Sequence, residues 1–149
     1  MSEDEAFKQA RERAKASGLP YEGALTPREA HEVLQRVPGA KLVDVRTRAE
    51  LEWVGRIPGA VEIEFLSYPG GRPNPDFVKQ LEQAVEKDVP VMFICRSGAR
   101  SHNAAMLAQQ AGYAECYNVL EGFEGDKDAS GHRNTKGGWR VAGLPWRQS

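Results

Sequence analysis

A short apolar run that ends at a cysteine does most to limit what this chain can fold into. Residues Val91 to Ile94 are all large and apolar, without polar alternation, and Cys95 follows directly. Such a run predicts a strand buried on both faces, as in a parallel sheet whose two sides are covered by helices. Parallel sheets place ligands beyond the carboxyl ends of their strands, so Cys95 is expected at that edge.

The residues after Cys95 predict a tight loop followed by a helix. Residues 96 to 100 are small or basic, Gly98 can adopt the positive φ of a tight loop, and Ser101 is a candidate helix cap. Apolar residues then repeat at the spacing of one buried helical face: Ala104, Leu107, Ala108 and Ala111.

A loop of this kind predicts an anion-binding cradle around Cys95. Backbone N–H groups and the positive end of the helix dipole stabilise negative charge, and Arg96 and Arg100 add two cations. The same field favours the thiolate of Cys95, which makes this residue a candidate nucleophile. A small buried cysteine that only fills the end of a strand is the alternative, and the spacing leaves it open.

Four segments of the chain resemble the signatures of the rhodanese, or sulfurtransferase, family. Cys95-Arg96-Ser97-Gly98-Ala99-Arg100-Ser101 resembles the family's active-site loop. The other three occur in the family's order: Leu42-Val43-Asp44-Val45-Arg46, Ile57-Pro58-Gly59-Ala60 and Ala142-Gly143-Leu144-Pro145. The resemblance extends from Gly23 to Pro145, with Arg56 standing where the family usually has histidine.

The resemblance implies an α/β fold and a transfer reaction. The fold would be a single rhodanese-like domain with a central five-stranded, mostly parallel sheet and helices on both faces. In the reaction, Cys95 would take a sulfur atom from a donor such as thiosulfate as a persulfide, and pass it to cyanide, a small thiol or a protein thiol. The loop residues would bind the substrate: Arg96, Ser97, Gly98, Ala99, Arg100 and Ser101.

We also predict the roles of two further residues and the exposure of the cysteine. Asp44 and Arg46 would support the active-site loop, although an internal salt bridge is equally compatible with their positions. We expect the thiol to face solvent and the loop amides to point towards it. If the Cys95 side chain is packed away from solvent, or if the loop amides turn outward, the interpretation as an enzyme fails and only the fold prediction stands.

Two other functions compete with sulfur transfer. The first is phosphatase or arsenate reductase chemistry, but cysteine phosphatases have five residues between the cysteine and the arginine, whereas this loop has four, from Arg96 to Ala99. The second is a non-catalytic module that binds a protein partner. The retained cysteine and arginines argue against this second alternative.

Length and composition limit the remaining possibilities. With 149 residues, of which 40% are hydrophobic, one globular domain is expected, and a net charge of −1 gives no general attraction to nucleic acid or a membrane surface. There is no apolar run of membrane-spanning length, and the acidic N-terminus is unlike a signal peptide, so we expect a cytoplasmic protein. No motif indicates a metal or an organic cofactor.

The N-terminal residues are expected to form an extension. We divide the chain into a helical extension over residues 1–20 and the rhodanese-like domain over 21–149. Ser2 and Glu5 form a capping-box pattern, but the following stripe of Phe7, Ala10 and Ala14 is thin, which predicts a mostly solvated helix.

Three local patterns predict the surroundings of the site. Residues 61–65 alternate strictly, which predicts an edge strand. The loop over 67–75, which carries Tyr68, is either a wall of the pocket or a plain connector, and residues 126–136 are an insertion that overhangs the pocket or forms a mobile surface loop. Cys116 is expected about 15 Å from Cys95, too far for a disulfide.

Overall fold

The computed structural model describes residues 4 to 148 and contains one five-stranded parallel sheet. The strands are β1 (Gly23–Leu25), β2 (Lys41–Asp44), β3 (Val61–Glu62), β4 (Pro90–Ile94) and β5 (Glu115–Val119). Their order across the sheet is β1-β5-β4-β2-β3, and every neighbouring pair is parallel. The predicted five-stranded α/β architecture is confirmed.

Helices cover both faces of this sheet. They are α1 (Glu5–Ser17), α2 (Pro27–Arg36), α3 (Arg48–Trp53), α4 (Phe77–Ala84) and α5 (Ala99–Gln110). Alternate residues of β4 point to opposite faces: Val91 and Phe93 pack against residues of α4 and α5, while Met92 and Ile94 pack against residues of α1 and α2. None of these four strand residues has any exposed surface, as expected for a central parallel strand.

Two predicted capping boxes fix where helices begin. Thr26 and Glu29 exchange side-chain and backbone hydrogen bonds at the start of α2, and Thr47 and Glu50 do the same at the start of α3. The second box matters for the site, because it places Glu50 in the first turn of a helix directly after β2.

The prediction that α1 is mostly solvated is wrong. Its N-cap is Asp4, which accepts a hydrogen bond from Ala6, while Ser2, the predicted cap, lies outside the described residues. Phe7 is buried and stacks on Tyr117 of β5, with ring centroids 4.7 Å apart. The small buried residues Ala6, Ala10 and Ala14 let the helix approach the sheet closely. The division into an extension over residues 1–20 and a domain over 21–149 stays a prediction.

A glycine in the edge strand β1 permits this close approach, and its substitution tests the docking of α1. A Cβ atom added at Gly23 would lie 2.8 Å from the backbone carbon of Ala10. We expect Gly23→Ala to lower the free energy of unfolding by about 1–3 kcal/mol, because the helix must shift or strain. Urea denaturation measures the change, and Lys8→Ala on the exposed side of the same helix should stay within about 0.5 kcal/mol of wild type. Equal stability of Gly23→Ala and wild type would contradict the docking.

Strand β3 lies at the opposite edge of the sheet, as its alternating pattern predicts. It is shorter than the predicted 61–65, but two hydrogen bonds continue the pairing in irregular form: Ile63 N–H donates to the Asp44 carbonyl at 3.0 Å and Phe65 N–H to the Val45 carbonyl at 3.2 Å. Within residues 4 to 148, none of the helices has the length and apolar character needed to cross a membrane.

Candidate active site

The candidate site lies where the order of the strands reverses. Strands β2 and β4 are neighbours, but the chain continues from β2 outwards to β3, and from β4 in the other direction to β5. The loops that leave the carboxyl ends of β2 and β4 therefore separate and leave a crevice, which is the usual ligand position in an open parallel sheet. Cys95 follows the last residue of β4 and lies at this crevice.

The loop after β4 directs a backbone donor at the cysteine sulfur. Gly98 adopts a left-handed conformation, with φ of 110°, and its N–H donates to Cys95 Sγ at 3.1 Å. Helix α5 begins at Ala99 with Gly98 as its N-cap, so the predicted cap Ser101 is wrong: glycine takes that position because it tolerates the positive φ. The sulfur thus lies at a helix N-terminus, where N–H groups lack intrahelical partners and attract negative charge.

The turn after β5 holds the other side of this loop. Phe123 N–H donates to the carbonyl of Cys95 at 2.8 Å, and Glu124 N–H donates to the carbonyl of Arg96 at 2.9 Å. The turn depends on Gly122, since its φ is 65° and an added Cβ would lie 2.5 Å from the Cys95 carbonyl oxygen. Because these carbonyls are bound from the β5 side, the loop keeps the conformation that turns Gly98 N–H towards the sulfur. Our sequence reasoning missed this support.

The thiol itself is covered, contrary to the prediction that it faces solvent. Cys95 is 1% exposed, and its sulfur is contacted by Gly98 of the loop and by Ser101 in the first turn of α5. Ser101 Oγ lies 3.3 Å from the sulfur and donates its single hydrogen to Asn118 Oδ1 at 2.5 Å. The Asn118 amide nitrogen donates to the Gly98 carbonyl, which fixes the orientation of the amide. Ser101 Oγ therefore lies beside the sulfur with its hydrogen directed to Asn118, a contact that sequence reasoning did not identify.

The two arginines of the loop differ in their surroundings. Arg100 forms a two-point ion pair with Glu50 of α3, with N···O distances of 2.7 and 2.9 Å, so its charge is compensated. Arg96 is exposed and forms no ion pair with any residue between 4 and 148. Ser97 is half-buried and Ala99 is exposed. The substrate-binding role of residues 96 to 101 stays a prediction.

A pocket of about 420 Å³ opens beside this loop. Its walls come from the segments that follow β2, β3 and β4, and they include Thr47, Glu50, Trp53, Tyr68, Arg96 and Arg100. Tyr68 shows that the loop over 67–75 forms one wall, the functional alternative of our prediction. The insertion over 126–136 contributes no lining residue in the described chain; it folds around Asp128, whose carboxylate accepts hydrogen bonds from Ser130, His132 and Thr135.

Comparison with known proteins identifies the family. The family model described as "Rhodanese-like domain" matches residues 26–129. The chain belongs to this family.

Relatives of known sequence or structure agree with this assignment. The crystal structure of Rv0390 from M. tuberculosis superposes with a TM-score of 0.80 and 44% sequence identity, covering 87% of this chain and 99% of that one. An uncharacterized protein of Rickettsia conorii is 36% identical over 80% of this chain and 92% of its own length. The thiosulfate sulfurtransferase GlpE of Haemophilus influenzae is 29% identical over 72% of this chain and 89% of its own length. The rhodanese-like family therefore includes a named sulfurtransferase.

Glu50 is the most strongly perturbed carboxylate beside the pocket of this rhodanese-like domain. Burial by itself raises the pKa of the Glu50 carboxyl, but hydrogen bonds from the Arg100 side chain and the Thr47 backbone outweigh it and set the pKa to about 2. The carboxylate therefore stays charged, and paired with Arg100, at any pH near neutrality.

This depressed pKa predicts a specific acid sensitivity. The hydrogen bonds that the Glu50 carboxylate accepts from Arg100 and Thr47 contribute fully above about pH 4.5. Their joint contribution, at most about 3 kcal/mol, is lost as the pH falls from there through about 2. We expect Glu50→Gln to be less stable than wild type near neutrality and to lose less stability on acidification. Urea denaturation at several pH values measures both effects, with Glu52→Gln on the exposed side of α3 as control. Equal acid sensitivity of Glu50→Gln and wild type would contradict the assignment.

Asp44 and Arg46 form the internal salt bridge that the sequence left as an alternative. Both side chains are completely buried, and Arg46 contacts the Asp44 carboxylate at 2.7 and 2.9 Å. The guanidinium also donates to the Gly55 carbonyl at 2.9 Å and lies 4.0 Å from the centre of the Phe123 ring. The pair thus connects the end of β2 to the segment after α3 and to the turn that supports the active-site loop. A supporting role through position stays the prediction for both residues.

The second cysteine lies far from the first. Cys116 pairs in register with Val91, near the start of β4, whereas Cys95 follows the end of that strand. Both thiols are free, so the prediction that they form no disulfide is confirmed. Burial raises the pKa of Cys116 to about 12, which keeps this thiol protonated and unreactive. Among the described residues, no cluster of histidine, cysteine or acidic side chains could hold a metal ion.

Proposed function

We propose that this protein is a sulfurtransferase that carries one sulfur atom as a persulfide on Cys95, in a cytoplasmic setting. The observation that carries the proposal is the hydrogen bond from Gly98 N–H to Cys95 Sγ, at 3.1 Å and at the N-terminus of α5. A thiolate or a persulfide at this position is stabilised by the backbone donor and by the helix dipole.

The transfer consists of two displacements at sulfur. In the first, the Cys95 thiolate attacks the outer sulfur of thiosulfate, the sulfur–sulfur bond of the donor breaks, and sulfite leaves with the electron pair. The outer sulfur is then bound to Cys95 Sγ. In the second, cyanide or an acceptor thiolate attacks that sulfur, and the Cys95 thiolate is the leaving group. Neither step needs an external oxidant or reductant.

The covered thiol is the outcome that we expected to contradict an enzyme, and the proposal therefore requires that the sulfur become exposed during the reaction. Since Cys95 is only 1% exposed, the donor reaches the sulfur only after the covering residues move. Arg96, which forms no ion pair with any of the described residues, attracts the anionic donor.

The pairing of Arg100 argues against the phosphatase alternative. A cysteine phosphatase needs an arginine free to bind the oxygens of the phosphoryl group, but both terminal nitrogens of Arg100 are bound to Glu50. The short loop, with four residues between Cys95 and Arg100, also favours a single sulfur atom over a tetrahedral group.

Intact-mass measurement after exposure to thiosulfate tests the proposal. Wild type is expected to gain the mass of one sulfur atom and to lose it again when cyanide is added. Cys95→Ala should gain nothing, while Cys116→Ala, the matched control, should behave as wild type.

Three outcomes would contradict the proposal. Wild type that gains no sulfur would favour a protein-binding module, and release of phosphate from an aryl phosphate without any sulfur gain would favour a phosphatase. Sulfur uptake by Cys95→Ala would show that a residue other than Cys95 carries the sulfur.

A further inference from the structure

One polar side chain of β5 is buried and bound to the segment that follows Cys95. Asn118 is 4% exposed, and the next residue of the strand, Val119, is completely buried. A buried amide has a free-energy cost unless its oxygen and its nitrogen are both hydrogen-bonded. Here Nδ2 donates to the Gly98 carbonyl at 3.2 Å, and Oδ1 accepts the hydrogen of Ser101 at 2.5 Å. The whole amide is therefore used to hold the active-site loop and the start of α5.

The two partners of Asn118 are also two residues that contact the cysteine sulfur. Gly98 N–H donates to Cys95 Sγ at 3.1 Å, and Ser101 Oγ lies 3.3 Å from the same sulfur. Asn118 is therefore connected to the sulfur by two separate paths, one through the backbone of Gly98 and one through the hydroxyl of Ser101.

The path through Ser101 contains a competition for one hydrogen. A serine hydroxyl has a single hydrogen to donate, and this hydrogen is directed to Asn118 although the sulfur is also within reach. To stabilise a Cys95 thiolate, Ser101 would have to give up its bond to Asn118. The amide oxygen therefore weakens any stabilisation of the thiolate by Ser101.

This competition matters because Cys95 has two opposite tasks in the proposed reaction. Its thiolate attacks the donor when sulfur is loaded, and the same thiolate is the leaving group when an acceptor removes the sulfur. A hydrogen bond to a thiolate stabilises it, which makes it a weaker nucleophile but a better leaving group. The position of the Ser101 hydrogen therefore affects loading and discharge in opposite directions.

We propose that Asn118 is a positioning residue that keeps the Ser101 hydrogen away from the Cys95 sulfur and thereby favours loading of sulfur over its discharge. This role rests on the sulfurtransferase function proposed above. A hydrogen bond to a charged group changes an equilibrium constant by about tenfold or more. About half of such an effect, on a logarithmic scale, appears in the rate constants of thiolates, so each half-reaction should change by about threefold.

Separate measurement of the two half-reactions tests this role. Asn118→Leu keeps the approximate size of the side chain but removes the oxygen that binds the Ser101 hydrogen. We expect it to load sulfur from thiosulfate about threefold more slowly than wild type, and to discharge its persulfide to cyanide about threefold faster. Intact mass against time measures both rates, with loading followed at a pH above which it no longer accelerates. Asn118→Ala removes the same oxygen by truncation and should change both rates in the same directions.

Two controls separate the position of the hydrogen from a general disturbance of the loop. Asn103→Leu, at an exposed position of α5, should leave both rates within about twofold of wild type. In a Ser101→Ala background no hydrogen is left to redirect, so the further change Asn118→Leu should alter neither rate by more than about twofold. The urea midpoint of each variant shows whether it is folded.

The possible failures are distinguishable. If the Asn118 variants change both half-reactions in the same direction, or change neither, the positioning role is contradicted while the sulfurtransferase function stands. The same conclusion follows if the effect of Asn118→Leu persists without the Ser101 hydroxyl. If wild type gains no sulfur from thiosulfate, the proposed function fails and this inference fails with it.

Discussion

Cys95→Ser is expected to reduce the formation of thiocyanate from thiosulfate and cyanide by about a thousandfold or more. The serine hydroxyl fits the same space and can accept the hydrogen bond from Gly98, so the cradle is retained. However, the hydroxyl is not ionised near neutrality and is a far weaker nucleophile towards sulfur than a thiolate. The measurement is the steady-state rate of thiocyanate production at saturating concentrations of both substrates.

The controls for this prediction concern the other cysteine and the fold. Cys116→Ala should retain the rate within about twofold, since Cys116 lies at the opposite end of the strands and its thiol is buried. The urea midpoint of Cys95→Ser should show that the variant is folded. A folded Cys95→Ser protein with a rate near that of wild type would show that sulfur does not pass through this residue.

Asp44→Asn is expected to lower the free energy of unfolding by about 3–5 kcal/mol. The change keeps the shape of the side chain but removes its charge, which leaves the completely buried Arg46 guanidinium without its anion. Arg46 is already incompletely bonded, because its Nη1 atom has no hydrogen-bond partner among the described residues. Urea denaturation of the single variant measures the loss.

A double variant separates the unpaired charge from the packing. Replacing Arg46 by methionine in the Asp44→Asn background removes the buried cation, so part of the lost stability should return. A cost below about 1 kcal/mol for Asp44→Asn alone would mean that solvent reaches the pair, and would contradict its burial.

The elements that the sequence predicted well are those with strong local signals. The apolar run of β4 needs burial on both faces, and the two threonine capping boxes fix the starts of α2 and α3 from residues three apart. The alternation after residue 61 correctly indicated an edge strand. In each case the information lies within a few residues.

The errors arise where distant segments meet. Helix α1 appeared too weakly amphipathic to dock, because its buried face consists mainly of alanines, and its close approach depends on the missing side chain at Gly23. The sequence did not show that the charge of Arg100 is compensated, because its partner Glu50 lies fifty residues away in the chain. The burial of the Cys95 thiol and the hydrogen bond from Ser101 to Asn118 also produce no periodic pattern in the sequence.

The separation of the two cysteines has a consequence for a cycle of sulfur transfer. Many thiol enzymes discharge an intermediate by forming a bond with a neighbouring cysteine, but the only other thiol in this chain is buried at the far end of the parallel strands. In the proposed reaction a loaded molecule therefore has no internal route of release. The persulfide persists until an external acceptor reacts with it. The concentration of that acceptor, rather than a step within the protein, therefore determines the lifetime of the persulfide.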